Sequence, residues 1–330
     1  MKKLFYSLVL LGVLLAGALF LGLSSLRQPV LALSEEKIVE IPRGASTLRI
    51  GEILEAAGLL RSPLQTALYR VLNPQAKFQA GEYSFRKETS AAAVLAKIAR
   101  GEVYYRELTI PEGSNIFDIA RIVGEQKVLD AGDFLRAAKD PGMIRDIAPA
   151  AQSLEGYLFP STYRLPRQLT AEGLCGRLTK QFREAARELK LDAGRLHELV
   201  TLASLVEKES AVPEERPKIA GLFTNRLKLG MKLECDPTTI YASLLQDKYR
   251  GTIYRSDLDS KHPYNTYQHV GLPPGPIANP GLEALRAAAH PEATDAIFFV
   301  AEPNGTGRHV FSKSLAEHNV AVAKYRRGAR

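Results

Sequence analysis

LVTLASLVEKESA, residues 199–211, reads as a helix that is apolar almost all the way round, and so as a buried element. At 100° per residue, Leu196, Val200 and Ala203 share the face of Glu207. Burial disfavours a charged carboxylate and raises its pKa. A carboxyl that keeps its proton near neutral pH is what a general acid needs in glycosidic bond cleavage. The other reading of Glu207 is an ion pair with a buried arginine, or a cap. Glu209 stacks over Leu202 and Leu205 and competes for the same role. Helical geometry does not choose between the two carboxylates.

Around this helix the chain has 330 residues, room for one membrane anchor and two or so domains. Charged residues are 24% and hydrophobic residues 45%, an ordinary globular mixture with enough apolar material for a core. The net charge is +8 and the pI near 9.3, with a small basic cluster in the C-terminal KYRRGAR. Such an excess fits a solvated basic tail, an acidic polymer or an anionic membrane surface. No Lys/Arg run is interleaved with aromatics, which argues against nucleic acid. The two cysteines, Cys175 and Cys235, are no disulfide framework; they can pair, but nothing demands it. Tryptophan is absent, so tyrosines would have to stack sugars. Histidines at 197, 262, 269, 290, 309 and 318 include no pair at i, i+4, and neither cysteine has a partner at ligand spacing. Neither a metal nor a cofactor is expected. A nucleophile elbow and a phosphate-cradling glycine loop are also missing.

Lys2 and Lys3 precede an uncharged, apolar run over residues 4–26, long enough to cross a hydrocarbon core of about 30 Å. The paired lysines favour a cytoplasmic N-terminus with the remainder outside. A cleaved signal peptide is the rival, but no small-residue cleavage site follows Leu26, so residues 1–27 are read as an uncleaved anchor. Residues 28–37 read as a linker.

An internal repeat follows. VEIPRGASTLRIGEILEAAGLL (39–60) and LTIPEGSNIFDIARIVGEQKVL (108–129) align without gaps, pairing Ile41 with Ile110, Pro42 with Pro111 and Gly44 with Gly113. Each copy predicts a short strand, a Pro-x-Gly turn and an amphipathic helix. Between them, residues 81–85 predict a strand, and 91–100 a helix closing at Gly101. Residues 38–139 are taken as one region and 140–330 as the larger domain. In the latter the spacing predicts helices over 171–190, 192–211, 217–229 and 236–245, a strand over 296–301 with a hairpin partner at 307–311, and a terminal helix over 314–326. KHPYNTYQHVGLPPGPIANPG, ending at Gly281, is long, rigid and rich in donors and tyrosines, a composition suited to sugar recognition.

ASLVEKES (203–210), GLFTNRLKLGMKLECDPTTIY (221–241), YNTY (264–267) and GLPPGPIANPG (271–281) occur in the order and spacing of the endolytic murein transglycosylase, or YceG-like, family, which the chain resembles over residues 153–320. EGYLFPSTY resembles that family's EGFLFPDTY segment, and residues 38–105 loosely resemble a LysM-like module, a strand, a helix pair and a returning strand. The fold class expected is α+β: a transmembrane helix, a small LysM-like α+β domain and a larger α+β catalytic domain. The resemblance implies that the first glutamate of E-K-E, Glu207, is catalytic, and that Tyr267 supports it. Tyr264, Asn265, Thr266, Glu234, Asp236 and Glu155 are the expected substrate-binding residues. Ser161 and Glu234 depart from the family's usual Asp and Gln; Glu234 would raise the pKa of Glu207 further if the two were close.

The activity implied is endolytic, non-hydrolytic cleavage of the MurNAc–GlcNAc bond of nascent glycan strands, leaving 1,6-anhydroMurNAc ends and terminating elongation. The partners implied are peptidoglycan glycan strands, the membrane and penicillin-binding proteins. The location implied is the inner membrane, single-pass, with the catalytic domain on the periplasmic side. Two rivals stand beside it. A hydrolytic muramidase needs a second carboxylate, for which Glu155, Glu234 and Asp236 are candidates. A peptidoglycan-binding scaffold without catalysis would use the tandem units of 39–129.

Overall fold

A computed structural model describes residues 2–28, 36–86, 90–303 and 305–328. The chain forms two compact units, Met1–Arg106 with Arg164–Arg167, and Glu107–Tyr163 with Gln168–Arg330. The architecture is α+β, with three two-stranded sheets among the described residues.

The first unit begins with α1 (Lys2–Arg27) and continues through β1 (Lys37–Ile41), α2 (Thr47–Ala56), α3 (Leu64–Leu72), β2 (Gly81–Phe85) and α4 (Ala91–Arg100). β1 and β2 pair antiparallel, Val39 opposite Tyr83 and Ile41 opposite Gly81. Period-two alternation sends Val39 and Ile41 inward, where Leu54, Leu59, Tyr83, Leu95 and Ile98 meet them. Each of these apolar side chains contributes about 1.5–3 kcal/mol by leaving water. Ser46 caps α2 by accepting from Arg49 N at 3.2 Å. The last turn of α1 packs here too: Leu26 is buried, and Gln65 Nε2 donates to Ser25 O at 2.9 Å. Counting only described residues, no helix is long and apolar enough to cross a membrane. Some side chains of the apolar run at 4–26 lie outside the described ones.

The second unit holds β3 (Arg106–Ile110, all but its first residue), α5 (Ile116–Glu125), α6 (Ala131–Ala138), β4 (Ser161–Leu165, in part), α7 (Ala171–Glu188), α8 (Leu196–Glu209), α9 (Arg216–Lys228), α10 (Asp236–Leu245), α11 (Arg255–Leu258), α12 (Leu282–Ala289), β5 (Phe298–Ala301), β6 (His309–Ser312) and α13 (Leu315–Gly328). α8 lies at the centre, packed on α9 and α12, with Val200, Ala203, Leu205 and Val206 fully buried. α9 approaches the 292 backbone so closely that a Cβ on Gly221 would sit 2.2 Å from Glu292 O. β5 and β6 form the expected hairpin, Phe299 opposite Phe311.

The repeat appears as read, a strand, a glycine turn and a helix in each copy. Gly44 (φ +78°) and Gly113 (φ +72°) both take the left-handed conformation that glycine adopts without Cβ strain. The two copies do not form one region, however: the division falls after residue 106 rather than 139. The reason lies in the second copy's partners. Gly113 N donates to Asn279 O at 3.0 Å, Asn279 N and Nδ2 donate to Ser114 O at 2.9 and 2.8 Å, and Ile116 N donates to Glu155.

Candidate active site

One stripe of α8 fixes the proline-rich segment. His197 Nε2 lies 2.9 Å from Pro274 O, an acceptor only, so Nε2 carries the proton and Nδ1 accepts from the Tyr157 hydroxyl at 2.8 Å. Ser204 Oγ accepts from Ile277 N at 3.1 Å and donates to Thr201 O at 2.7 Å. Glu207 Oε2 accepts from Gly281 N, the N-cap of α12, at 2.9 Å. The other oxygen, Oε1, accepts from Arg216 Nη2 at 2.8 Å. The side chains of this pair are 5% and 10% exposed, and Glu112 lies 3.6 Å from the same guanidinium. Burial pushes Glu207 above the ordinary carboxylate range; the Gly281 N–H and the Arg216 charge oppose it, and Glu112 adds to it. Glu207 thus makes the buried arginine pair that was the alternative reading of its position, with both oxygens engaged.

Glu209, about 200° further round α8, faces a different set of groups. Burial raises its pKa, the Cys235 thiol opposes this as a hydrogen-bond donor, the Asp236 charge adds to it, and His309 opposes it. The Tyr267 hydroxyl donates to Asp236 Oδ1 at 2.7 Å. Burial and that bond hold the phenol far above its ordinary range, and Glu209 and Cys235 act on it too. Glu209, Asp236, Tyr267 and Cys235 are therefore one cluster. Tyr267 is bonded to Asp236 and feels the Glu209 charge; the groups acting on Glu207 are Arg216, Glu112, Lys208 and Gly281.

Local sequence explains how this cluster is held. Pro237 sits in the first turn of α10, where no N–H is needed. Asp236 is the first residue of that helix and takes the Tyr267 hydroxyl. Cys235 N donates to Thr266 Oγ1 at 3.0 Å, and the Thr238 and Thr266 hydroxyls lie 2.9 Å apart. Cys175 and Cys235 are free, buried thiols.

Several expected binding residues turn out to be framework. Asn265 is 0% exposed; its Nδ2 donates to Asp257 O, Leu258 O and Ser260 O at 3.2, 3.0 and 2.6 Å, and its Oδ1 accepts from Tyr267 N at 3.0 Å. Thr266, also buried, is the hydroxyl that anchors Cys235. Both set the YNTY turn, which presents Tyr267, and neither is open to a glycan. Tyr264 is half-buried, its ring 5.2 Å from that of Tyr241, and burial pushes its phenol up to about 12. Glu234 pairs with Arg226 at 3.0 Å instead of acting on Glu207, from a left-handed backbone (φ +52°). Among the described residues no group of three or more His, Cys, Asp or Glu is placed to hold a metal.

Glu155 needs the fullest correction. It is 2% exposed, with its oxygens accepting from Ile116 N and Asn279 Nδ2, each at 2.9 Å. It ties α5 to the loop before α12 and is out of reach of a substrate. Desolvation pushes its pKa up to about 8. A carboxyl raised in the folded chain holds its proton more tightly there than in the unfolded chain. Its contribution to stability is full below the ordinary carboxylate range and is lost as pH rises through about 8. The thermal midpoint is expected to fall across that window, and Glu155→Gln to flatten the decline; parallel slopes by calorimetry would refute this. Sequence reading missed Arg216, His309 and Glu215 as neighbours of the acidic residues. The polar Ser204 inside an apolar helix was the one local signal of the stripe.

The family model described as YceG-like matches residues 39–324, and the chain belongs to that family. It is 33% identical to the endolytic murein transglycosylase of Bacillus subtilis (strain 168) over 94% of this chain and 91% of that one. It is 32% identical to the endolytic murein transglycosylase of Streptococcus pneumoniae serotype 2 (strain D39), over 96% of this chain but 64% of the longer relative. A 2.6 Å crystal structure of a YceG-like protein from Listeria monocytogenes matches with a TM-score of 0.55 at 32% identity, covering 87% of this chain and 99% of that one.

Proposed function

We propose that the protein is a peptidoglycan lytic endotransglycosylase, a lyase that cuts glycan strands without water, and that Glu209 is its general acid and base. One observation carries the assignment to Glu209 over Glu207: Glu209 shares a cluster with the Asp236–Tyr267 pair, while both oxygens of Glu207 are engaged by Arg216 and Gly281. Protonated Glu209 donates to the glycosidic oxygen as the MurNAc C1–O bond breaks. The oxocarbenium-like C1 is assisted by the sugar's own acetamido group. Glu209, now a carboxylate, takes the proton from the muramoyl 6-hydroxyl, whose oxygen attacks C1 and closes the 1,6-anhydro ring. One carboxyl serves both steps in turn. Tyr267, kept protonated by its surroundings, orients Asp236, and the Asp236 charge supports both the raised pKa of Glu209 and the cationic centre.

Asp236 also motivates the rival, since a second carboxylate in the cluster is what a hydrolase requires. Mass spectrometry of products from purified glycan strands separates the two. Ends lighter by one water are expected; reducing ends would make the protein a muramidase.

The finer layout belongs to the same reading. α1 exposes Phe5, Leu10, Val13, Leu14, Phe20 and Leu21, as a helix facing lipid does. Its 26 residues extend about 39 Å at about 1.5 Å each, against about 30 Å of hydrocarbon. It would anchor the chain in the cell membrane with the enzyme outside the cytoplasm. The full chain is expected to stay with membranes under carbonate extraction; its release would remove the anchor. The β1–α2–α3–β2 order of the first unit supports a LysM-like, glycan-holding role. The penicillin-binding enzymes that build the strand are the partners such a trimming role calls for.

A further inference from the structure

The helix α3 carries an apolar stripe that the core of the first unit does not use up. Leu64, Leu68, Val71 and Leu72 fall at i, i+4, i+7 and i+8 of that helix. Leu68 packs partly on the core, but Leu64, Val71 and Leu72 are 68%, 74% and 44% exposed. Apolar side chains exposed in a row, rather than singly, mark a surface that something covers.

The way α1 lies along this stripe identifies the cover. Three contacts give the register. A Cβ on Gly22 would sit 2.9 Å from Leu68 Cδ2, Gln65 Nε2 donates to Ser25 O at 2.9 Å, and Arg61 Nη1 donates to Gln28 Oε1. Numbers rise along α1 as they fall towards and past the start of α3, so the two helices run antiparallel. From Gly22 to Gln28 the rungs pass from apolar through polar to charged, the order of environments met on leaving a bilayer. Gly22 stands about 27 Å along α1 from Leu4, at about 1.5 Å per residue, near the far edge of a hydrocarbon core of about 30 Å. Leu68 is level with that edge, and the antiparallel run carries Val71 and Leu72 about 4.5–6 Å deeper. Phe20 and Leu21, exposed on α1, lie at the same depth. At the other end the exposed Arg27 and Arg61 stand where headgroup phosphates begin.

We propose that α3 is a second membrane contact, with Val71 and Leu72 in the acyl region beside α1 and Leu64 at the headgroup boundary. This rests on α1 being a membrane anchor. The cover is the bilayer rather than a second copy of the chain, because the register with α1 sets the stripe at bilayer depth in a single chain. Two helices tied side by side fix the tilt of the first unit, which a lone anchor followed by a free linker would not. The first unit is thereby held against the membrane face, where it meets glycan strands close to the lipid.

The test uses the full chain in vesicles of phosphatidylethanolamine and phosphatidylglycerol, with one nitroxide label at Val71→Cys, Leu72→Cys or Leu14→Cys. Cys175 and Cys235 are buried, so the label goes to the introduced thiol, and the parent chain is the blank. All three positions are exposed, so the substitutions leave the core intact. Lipid contact shows as oxygen collisions outnumbering those of a water-soluble nickel chelate, and water contact as the reverse. The chelate collisions at Val71 and Leu72 should be lost to the level found at Leu14. Frequent chelate collisions at Val71, with Leu14 in lipid, overturn the proposal and keep the anchor. Leu14 in water ends the anchor reading and the proposal with it. Scarce collisions with both probes at Val71 would mean that a second copy covers the stripe, and overturn it as well.

Discussion

Glu209→Gln is expected to fold like the parent chain and to lose glycan cleavage by a factor of about 10²–10⁴, the range that positioned acid–base groups supply. Glutamine keeps the shape of the side chain and can still accept from the Cys235 thiol. It has no proton to give the leaving oxygen and no basic carboxylate to activate the 6-hydroxyl. Binding should persist, so the loss should fall on kcat more than on KM. Glu207→Gln is the control that gives the result its meaning. Its carboxylate already accepts from Arg216 at 2.8 Å and from Gly281 N at 2.9 Å, and an amide oxygen can retain one of these bonds. That variant should keep at least about a tenth of parental activity while melting earlier. Anhydro ends counted by mass spectrometry decide between them. Full activity in Glu209→Gln, or a deeper loss in Glu207→Gln, would return the acid to Glu207.

Much of the frame that carries these residues was legible in the sequence. The strand–glycine–helix copies, α4 closing at Gly101, α8, α9 and the β5–β6 hairpin follow from periodicity and turn chemistry, which act within a few residues. The family resemblance pointed to the stretch 203–281 and to Glu207, but the partners of each carboxylate were not legible there. Choosing between Glu207 and Glu209 depends on what lies across the helix. The partners found there, Gly281 for Glu207 and Cys235 for Glu209, are both distant in sequence. Asn265 and Thr266 misled for a related reason. Polar residues in a Pro/Gly-rich loop look available for a sugar, yet here they satisfy backbone groups of a loop that is largely buried. Glu155 misled in the same way. The boundary between units was misplaced because the second repeat copy is stitched to residues 155 and 279, contacts with no local signature.

Arg216→Met is expected to destabilise the second unit by about 3–5 kcal/mol, the cost of leaving a buried carboxylate without its cation. Methionine fills much of the volume, so the loss reflects charge rather than a cavity. The Glu207 side chain is 5% exposed and would retain Gly281 N and Lys208 as favourable neighbours. It can ionise at high cost or stay protonated. Adding Glu207→Gln to Arg216→Met should recover part of the loss, because the orphaned charge is then gone. Unfolding by urea, followed through the second unit's transition, measures both steps; a double variant no more stable than Arg216→Met would show that packing, not the ion pair, holds this corner. The functional consequence separates the two carboxylates again. Glu207 holds the N-cap of α12 and with it the end of the 272–281 segment, whose other ties include His197, Ser204 and, through Asn279, Ser114 and Glu155. Loosening that segment should raise KM for glycan strands before it lowers kcat, the reverse of the pattern expected at Glu209. With the proposed roles, the residue that holds the segment and the residue that moves the proton sit on opposite sides of one helix, and the KM-against-kcat split tests that assignment.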